Sequence, residues 1–162
     1  EGSPRGVDEI HVYPNVVCLR TFSKAYGLAG ARVGYAFGQE EMIDALNKVA
    51  VPFSVSSVAQ VGALASLSAR GERVARTRTQ RQRLEEFFAG YGTPHSEANF
   101  VWVPAESLSG SPQELAAQLA SHGVLVRAFD EGIRITVTNE EETDTCIAAW
   151  QALDNGGRRN LS

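Results

Sequence analysis

Between Val16 and Phe37 two short apolar runs flank a loop built largely of small residues, and this arrangement restricts the fold more than any other stretch of the chain. Val16-Val17-Cys18-Leu19-Arg20-Thr21-Phe22 is apolar and β-branched, which predicts a buried strand. It stops at Ser23-Lys24. Ala25 to Gly30 form the loop, and Arg32-Val33-Gly34-Tyr35-Ala36-Phe37 predicts a second strand, closed by Gly38. A lysine is an odd residue at the end of a buried strand, because taking an ammonium out of water is costly. The oddity is sharper because the 15 basic residues include only two lysines, Lys24 and Lys48.

The rest of the chain supplies helices and further strands. Residues 1–14 are polar and broken by Pro4, Gly6 and Pro14, with Ile10, Val12 and Tyr13 suggesting a short extended stretch. The chain opens on Glu1 and reads there as the middle of something longer; Glu1-Gly2-Ser3-Pro4-Arg5 does not read as a signal peptide. Gln39-Glu40-Glu41 start an expected helix reaching Val49, with its acids at the favourable end of the dipole and Pro52 beyond it. Ser54, Ser56 and Ser57 offer caps for an Ala/Val/Leu-rich helix to about Leu67. A separate polar helix is expected over Glu72–Ala89, with Val74, Leu84, Phe87 and Phe88 inward.

Beyond Ala98, strands are expected at Asn99–Val103, Val124–Arg127 and Gly132–Val137. A helix over Pro112–His122 has Ser111 as its cap, and Glu140–Leu153 makes a closing amphipathic helix. The sum is an α/β chain. Residues 1–70 read as the end of one layered structure, 71–154 as a compact α+β domain of about three strands, and 155–162 as a loose tail.

Composition removes several classes of function. Nineteen acids against 15 bases give a net charge of −4, which argues against nucleic acid as a partner. No apolar run approaches the ~20 residues a membrane span needs. Cys18 and Cys146 have no CxxC spacing and read as core thiols of a chain from the reducing cytoplasm. His11, His95 and His122 share neither metal spacing nor a segment, so no metal and no chemistry is assigned to them. The run Arg70, Arg73, Arg76, Arg78, Arg81, Arg83, with Glu72, Glu85 and Glu86 interleaved or adjacent, reads as a solvated connecting helix.

What remains is the chemistry around Lys24. A partly buried lysine is driven toward its neutral, nucleophilic amine, which imine formation with an aldehyde requires. The hydroxyls of Thr21 and Ser23 and the guanidinium of Arg32 could form a phosphate socket, the arginine fork taking two oxygens and the hydroxyls the remainder. Gly27, Ala29 and Gly30 would let backbone approach a ligand. An aldehyde and a phosphate at fixed separation suit pyridoxal phosphate.

Ser23-Lys24-Ala25-Tyr26-Gly27-Leu28-Ala29-Gly30-Ala31-Arg32-Val33-Gly34 resembles the lysine signature of the fold-type I pyridoxal-phosphate aminotransferases. The closer resemblance is to the branch holding histidinol-phosphate aminotransferases and their aromatic amino acid relatives. Val51-Pro52-Phe53-Ser54-Val55-Ser56-Ser57, Glu97-Ala98-Asn99-Phe100-Val101, Val126-Arg127, Ile133-Arg134-Ile135-Thr136-Val137 and Glu140-Glu141-Glu142 resemble later segments of the same family. The likeness covers nearly the whole chain but only the second half of the family's plan: the end of the large domain, then a small α+β domain.

The resemblance implies that Lys24 forms the imine with the cofactor and moves the substrate's α-proton. Arg32 and Ser23, with Thr21, would hold the cofactor phosphate. Arg134 would pair with the substrate α-carboxylate, Arg127 would assist it or read the other end of the substrate, and Tyr26 would line the pocket. The implied activity is transamination between an aromatic amino acid and 2-oxoglutarate by a cytoplasmic homodimer. Val-Pro-Phe-Ser is similar to the phenylalanine-type enzymes, whereas histidinol-phosphate enzymes more often carry Leu-Pro-Tyr there. Histidinol-phosphate aminotransferase is therefore the first alternative, and a truncated, non-catalytic module the second. Ala31 and Thr138 depart from the family's more usual larger apolar residue and glycine. The aspartate for the pyridine nitrogen, the asparagine for the ring oxygen, the stacking aromatic and the glycine-rich phosphate loop belong to the family's first half, which this chain lacks.

Overall fold

The two apolar runs on either side of the small-residue loop pair with each other. In the computed structural model, which describes residues 5–159, β1 (Val17–Thr21) and β2 (Gly34–Gly38) are antiparallel, in register from Val17 opposite Gly38 to Thr21 opposite Gly34. The chain divides into two compact units, Glu1–Arg73 and Val74–Ser162.

The first unit holds α1 (Gly6–Glu9), the β1–β2 pair, α2 (Glu40–Val49) and the opening turns of α3 (Ser57–Phe87). Its core is small: Phe22 and Val33, just beyond the strand ends, pack with Ala59 and Ala63 of α3. Ile10–Tyr13 is not extended. The amides of Val12 and Tyr13 both donate to the Glu9 carbonyl and turn the chain there. Nor is β1 buried, since Leu19 is 74% exposed and Cys18 only half-buried. A strand whose sheet consists of one neighbour has little to cover its faces. In α2, Glu40 and Glu41 occupy the first turn and Lys48 the last, where each charge complements the helix dipole.

α3 is one helix of 31 residues where two were expected. Gly71 falls inside it. A mid-helix glycine costs about 1 kcal/mol relative to alanine, but no proline interrupts the run, so the hydrogen-bond ladder continues. The boundary between the two units lies within this helix.

The second unit carries the remainder of α3, β3 (Phe100–Pro104), α4 (Pro112–Ser121), β4 (Arg127–Phe129), β5 (Gly132–Thr136) and α5 (Glu140–Arg159). The three strands form an antiparallel sheet in the order β3-β5-β4. α4 begins as expected: the Ser111 hydroxyl accepts from the Glu114 amide while the Glu114 carboxylate accepts from the Ser111 amide. Val124–Val126 are not strand, because α4 ends through Gly123 at φ +82° and the Val124 amide is spent on the Leu119 carbonyl. The third strand starts only at Arg127.

Alternation along the sheet sends Val101, Val103, Ile133 and Ile135 inward against Leu84, Phe88 and Trp150. The Phe88 and Trp150 rings meet edge to face at 4.6 Å. Cys146 is a core thiol, and burial pushes its pKa up to about 11. α5 runs past the expected end at Leu153 as far as Arg159, so residues 155–159 are helical; residues 160–162 of the expected tail, like 1–4, lie outside the described residues. No helix among the described residues is long and apolar enough to cross a membrane.

Candidate functional site

The β1–β2 ladder ends at Thr21 opposite Gly34, and just beyond it the Phe22 amide donates to the Val33 carbonyl. This closure gathers three polar side chains at one end of the strand pair. The Thr21 hydroxyl donates to Ser23 Oγ at 2.9 Å and accepts from the Ser23 amide at 3.0 Å. Arg32 follows the loop with φ +53° and ψ +48°, a left-handed conformation that costs a non-glycine residue about 1–3 kcal/mol and must be held by its surroundings. One of its guanidinium nitrogens donates to the Ala29 carbonyl at 2.9 Å, which bends the side chain back over the loop.

Lys24 lies at the top of that loop. Its carbonyl accepts from the Gly27 amide at 2.9 Å, closing a tight turn, and the Leu28 amide returns to the Phe22 carbonyl. Gly27 sits at φ +72°, a conformation glycine adopts without penalty. Lys24 was expected to be partly buried, yet it is exposed. The reason is the one that leaves β1 open: the sheet has only two strands, so little covers the strand pair among the described residues. Tyr26 is half-buried, its ring 4.5 Å from that of Phe22. Thr21, Ser23, Lys24 and Arg32 are thus brought to one strand end, while Tyr26 turns toward the small core.

In the second unit the face of the sheet opposite the core carries the late arginines. Arg134 of β5 stands opposite Trp102 of β3 and Arg127 of β4, so the three form one row across the sheet. The Arg134 guanidinium carbon is 5.6 Å from the Phe100 ring centroid, that of Arg127 is 5.3 Å from Phe129, and the Trp102 and Phe129 rings are 5.7 Å apart. Such contacts hold a cation while leaving its hydrogen-bond donors free. Arg134 Nε is buried with no hydrogen-bond partner, and neither arginine forms an ion pair among the described residues. Two guanidinium forks in a row, one with an unspent buried donor, suit a carboxylate.

Two features escaped the sequence reading. The aromatic surface beneath the arginines was not anticipated, although period-two alternation in Phe100-Val101-Trp102-Val103 puts Phe100 and Trp102 on the outer face. The other is a charged cluster at the start of β3. Arg81, expected to be solvated, is 7% exposed and donates to the Ala98 carbonyl. His95 lies between Glu85 and Glu97, at 3.2 and 3.1 Å, and these contacts raise its pKa while lowering that of Glu97. No group of residues among those described could hold a metal ion.

The chain belongs to the aminotransferase class I and II family, whose match spans residues 2–149. Among curated relatives, the aromatic amino acid aminotransferase of Corynebacterium diphtheriae is 60% identical over 140 residues, covering 86% of this chain and 41% of that protein. The protein of the same name from Corynebacterium efficiens is 55% identical and covers 96% of this chain and 44% of its own length. The chain therefore spans less than half the length of these relatives. Among solved structures, histidinol-phosphate aminotransferase from Sinorhizobium meliloti, in complex with pyridoxal-5'-phosphate, has a TM-score of 0.70 at 32% identity, over 84% of this chain and 40% of that one. The mixed helix-and-strand architecture is accordingly similar to part of a fold-type I pyridoxal-phosphate transferase.

Proposed function

We propose that this chain is the lysine-bearing part of a pyridoxal-phosphate-dependent transaminase whose amino donor is an aromatic amino acid. The observation that carries the reading is the end of the β1–β2 pair, where the Thr21–Ser23 hydroxyl pair and Lys24 lead into a glycine-containing loop that returns at Arg32. These residues fit the cofactor. Space around Gly30 is open: apart from its chain neighbours, no atom of the described residues lies within 4 Å of where a side chain would begin, which leaves the backbone there accessible to a ligand. Residues 1–70 would then be the end of the cofactor domain and 71–154 the small domain.

When bound, the cofactor supplies an aldehyde and an electron-withdrawing ring that stabilises negative charge developing at the substrate's α-carbon. This chain's residues do the rest. Lys24 Nζ would hold the cofactor at its aldehyde carbon and, once the substrate amine takes that place, would take and return the α-proton as a free amine. Arg32 with Thr21 and Ser23 holds the phosphate. Arg134 grips the α-carboxylate through the terminal nitrogens of its fork, and Arg127 adds positive charge beside it. Tyr26, which the resemblance places at the pocket, instead faces the small core and supports the loop from beneath.

The aromatic preference is supported by the relatives' names and by the Phe100–Trp102–Phe129 surface around the two arginines. The acceptor in this reading is 2-oxoglutarate and the setting is the cytoplasm. The working form is a homodimer, for which the fully exposed Phe53, held at φ +56°, is a candidate contact.

The test uses the full-length protein. Mixed with pyridoxal phosphate it should develop a visible absorbance band that Lys24→Ala lacks, and should turn over phenylalanine faster than histidinol phosphate. A band independent of Lys24 contradicts the mechanism, and a clear preference for the phosphate ester reassigns the donor.

A further inference from the structure

We infer that two arginines of α3, Arg70 and Arg73, are positioning residues for Lys24: they clamp the turn that carries it onto the helix. The inference rests on the cofactor role proposed for Lys24 and goes beyond it, because neither arginine belongs to the cofactor or carboxylate sets described above.

The turn is short and has few internal supports. Lys24 and Gly27 are tied by one backbone hydrogen bond, and the Leu28 amide ties the far side to Phe22. Lys24 itself is exposed, so its position depends on what fixes Ala25, Tyr26 and Gly27. α3 supplies that in two layers. Beneath the loop, Ala59 and Ala63 present small surfaces on which Phe22, Tyr26 and Leu28 pack. Further along the same helix, the Arg70 guanidinium carbon lies 5.9 Å from the centroid of the Tyr26 ring, within cation–π reach.

Three residues beyond Arg70, and so on the same side of the helix, the Arg73 guanidinium lies against Gly27. A methylene placed on Gly27 would meet one Arg73 terminal nitrogen at 2.8 Å and the guanidinium carbon at 3.3 Å. Gly27 therefore has two duties. Its φ of +72° suits glycine, and its missing side chain leaves the hollow that the guanidinium fills. Arg70 and Arg73 grip consecutive residues, Tyr26 and Gly27, on the C-terminal side of Lys24. Both grips come from one rigid helix, so the clamp fixes the direction in which the Lys24 stem leaves the backbone. Arg73 is also the last residue of the first unit, in a helix that continues unbroken into the second.

The experiment compares full-length wild type with Arg70→Ala, Arg73→Ala, Arg73→Lys, Gly27→Ala and Gly27→Ala/Arg73→Ala. Amide exchange over residues 24–28 is measured without cofactor. Retention of pyridoxal phosphate and the visible circular dichroism of the bound form are measured with it. Arg70→Ala and Arg73→Ala should each speed exchange of the turn about two- to fivefold, weaken cofactor retention by a similar factor and reduce the dichroic band, with unchanged thermal unfolding. Arg73→Lys should recover part of the loss.

Gly27→Ala should weaken retention by about tenfold, since it forces alanine into a left-handed conformation as well as into the guanidinium. Adding Arg73→Ala to it should cost less than the sum of the two, because the collision has been removed. Wild-type exchange and dichroism in both arginine variants would overturn the clamp, and faster exchange with normal retention and dichroism would overturn its role in positioning Lys24. Failure of wild type itself to show a Lys24-dependent band would instead overturn the cofactor reading, while the exchange rates would still decide whether the arginines hold the turn.

Discussion

In Val74–Ser162 the side chains of Phe88, Val101, Val103, Leu119 and Ile133 have no exposed surface, whereas in Glu1–Arg73 the core amounts to Phe22, Val33 and two alanines, and Leu19, Val49, Val51, Phe53, Val58, Val61 and Leu64 stand in the open. One unit closes on itself; the other leaves one apolar side of its own helix uncovered. The N-terminal turns of α3 show the difference most clearly, with Ala59, Ala63 and Ser66 buried on one side and Val58, Val61 and Leu64 exposed on the other. A helix apolar all round is normally covered all round. The lysine and phosphate-type residues lie on the open unit and the arginine row on the closed one, so the proposed chemistry depends on additional surface at Lys24 far more than at Arg134.

The largest expected effect that could break this contrast is in the closed core. Leu84→Ala and Phe88→Ala should each destabilise the second unit by about 3–5 kcal/mol in denaturant unfolding. A much smaller loss would mean that its core is not the self-sufficient one described. Next is Arg134→Ala in the full-length protein. It should cost about 1.5–3 kcal/mol in binding of a carboxylate competitor, read from the inhibition constant, because a charged hydrogen-bonding partner is lost. Ser111→Ala, which deletes the cap of α4, should lower stability by about 1 kcal/mol.

A smaller, pH-dependent effect is expected at the charged cluster. The pKa of His95 is raised by Glu97 and Glu85, so its contribution is complete below the ordinary histidine value and fades as pH rises through the raised one. That of Glu97 is lowered by His95 and Arg81, so its contribution holds above the ordinary carboxylate value and fades as pH falls through the lowered one. Thermal unfolding of wild type and His95→Gln should therefore differ between these two limits and converge on the alkaline side. Least of all, Val61→Asn on the exposed face of α3 should change the stability of this chain by no more than about 0.5 kcal/mol. In the full-length protein the same change should cost clearly more, and equal costs in both would remove the case for a covering partner.

These contrasts also explain what could be read from the sequence. Ser111-Pro112 with Glu114 marks a helix start through chemistry local to a few residues, and Val101, Val103, Ile133 and Ile135 mark an inward face by period alone. Both are legible without neighbours. The Thr21–Arg32 cluster was legible for another reason: it lies in twelve consecutive residues closed by one strand pair. Burial of β1 and Lys24 was not, because an apolar strand states that it seeks cover without stating whether cover is present. The single α3 was missed because Gly71 weakens a helix without ending it. Arg81 and His95 were missed because their roles depend on partners ten or more residues away, at Ala98 and Glu85.

The central claim is that Lys24, not Lys48, carries the cofactor. The direct measurement is to load the full-length protein with pyridoxal phosphate, fix the imine as a secondary amine with borohydride, digest the protein and locate the added mass by peptide mass spectrometry. The account predicts the modification on the peptide containing Lys24 and none on the peptide containing Lys48, which lies exposed in the last turn of α2. Modification at Lys48, at both lysines equally, or at a lysine outside this chain would contradict it.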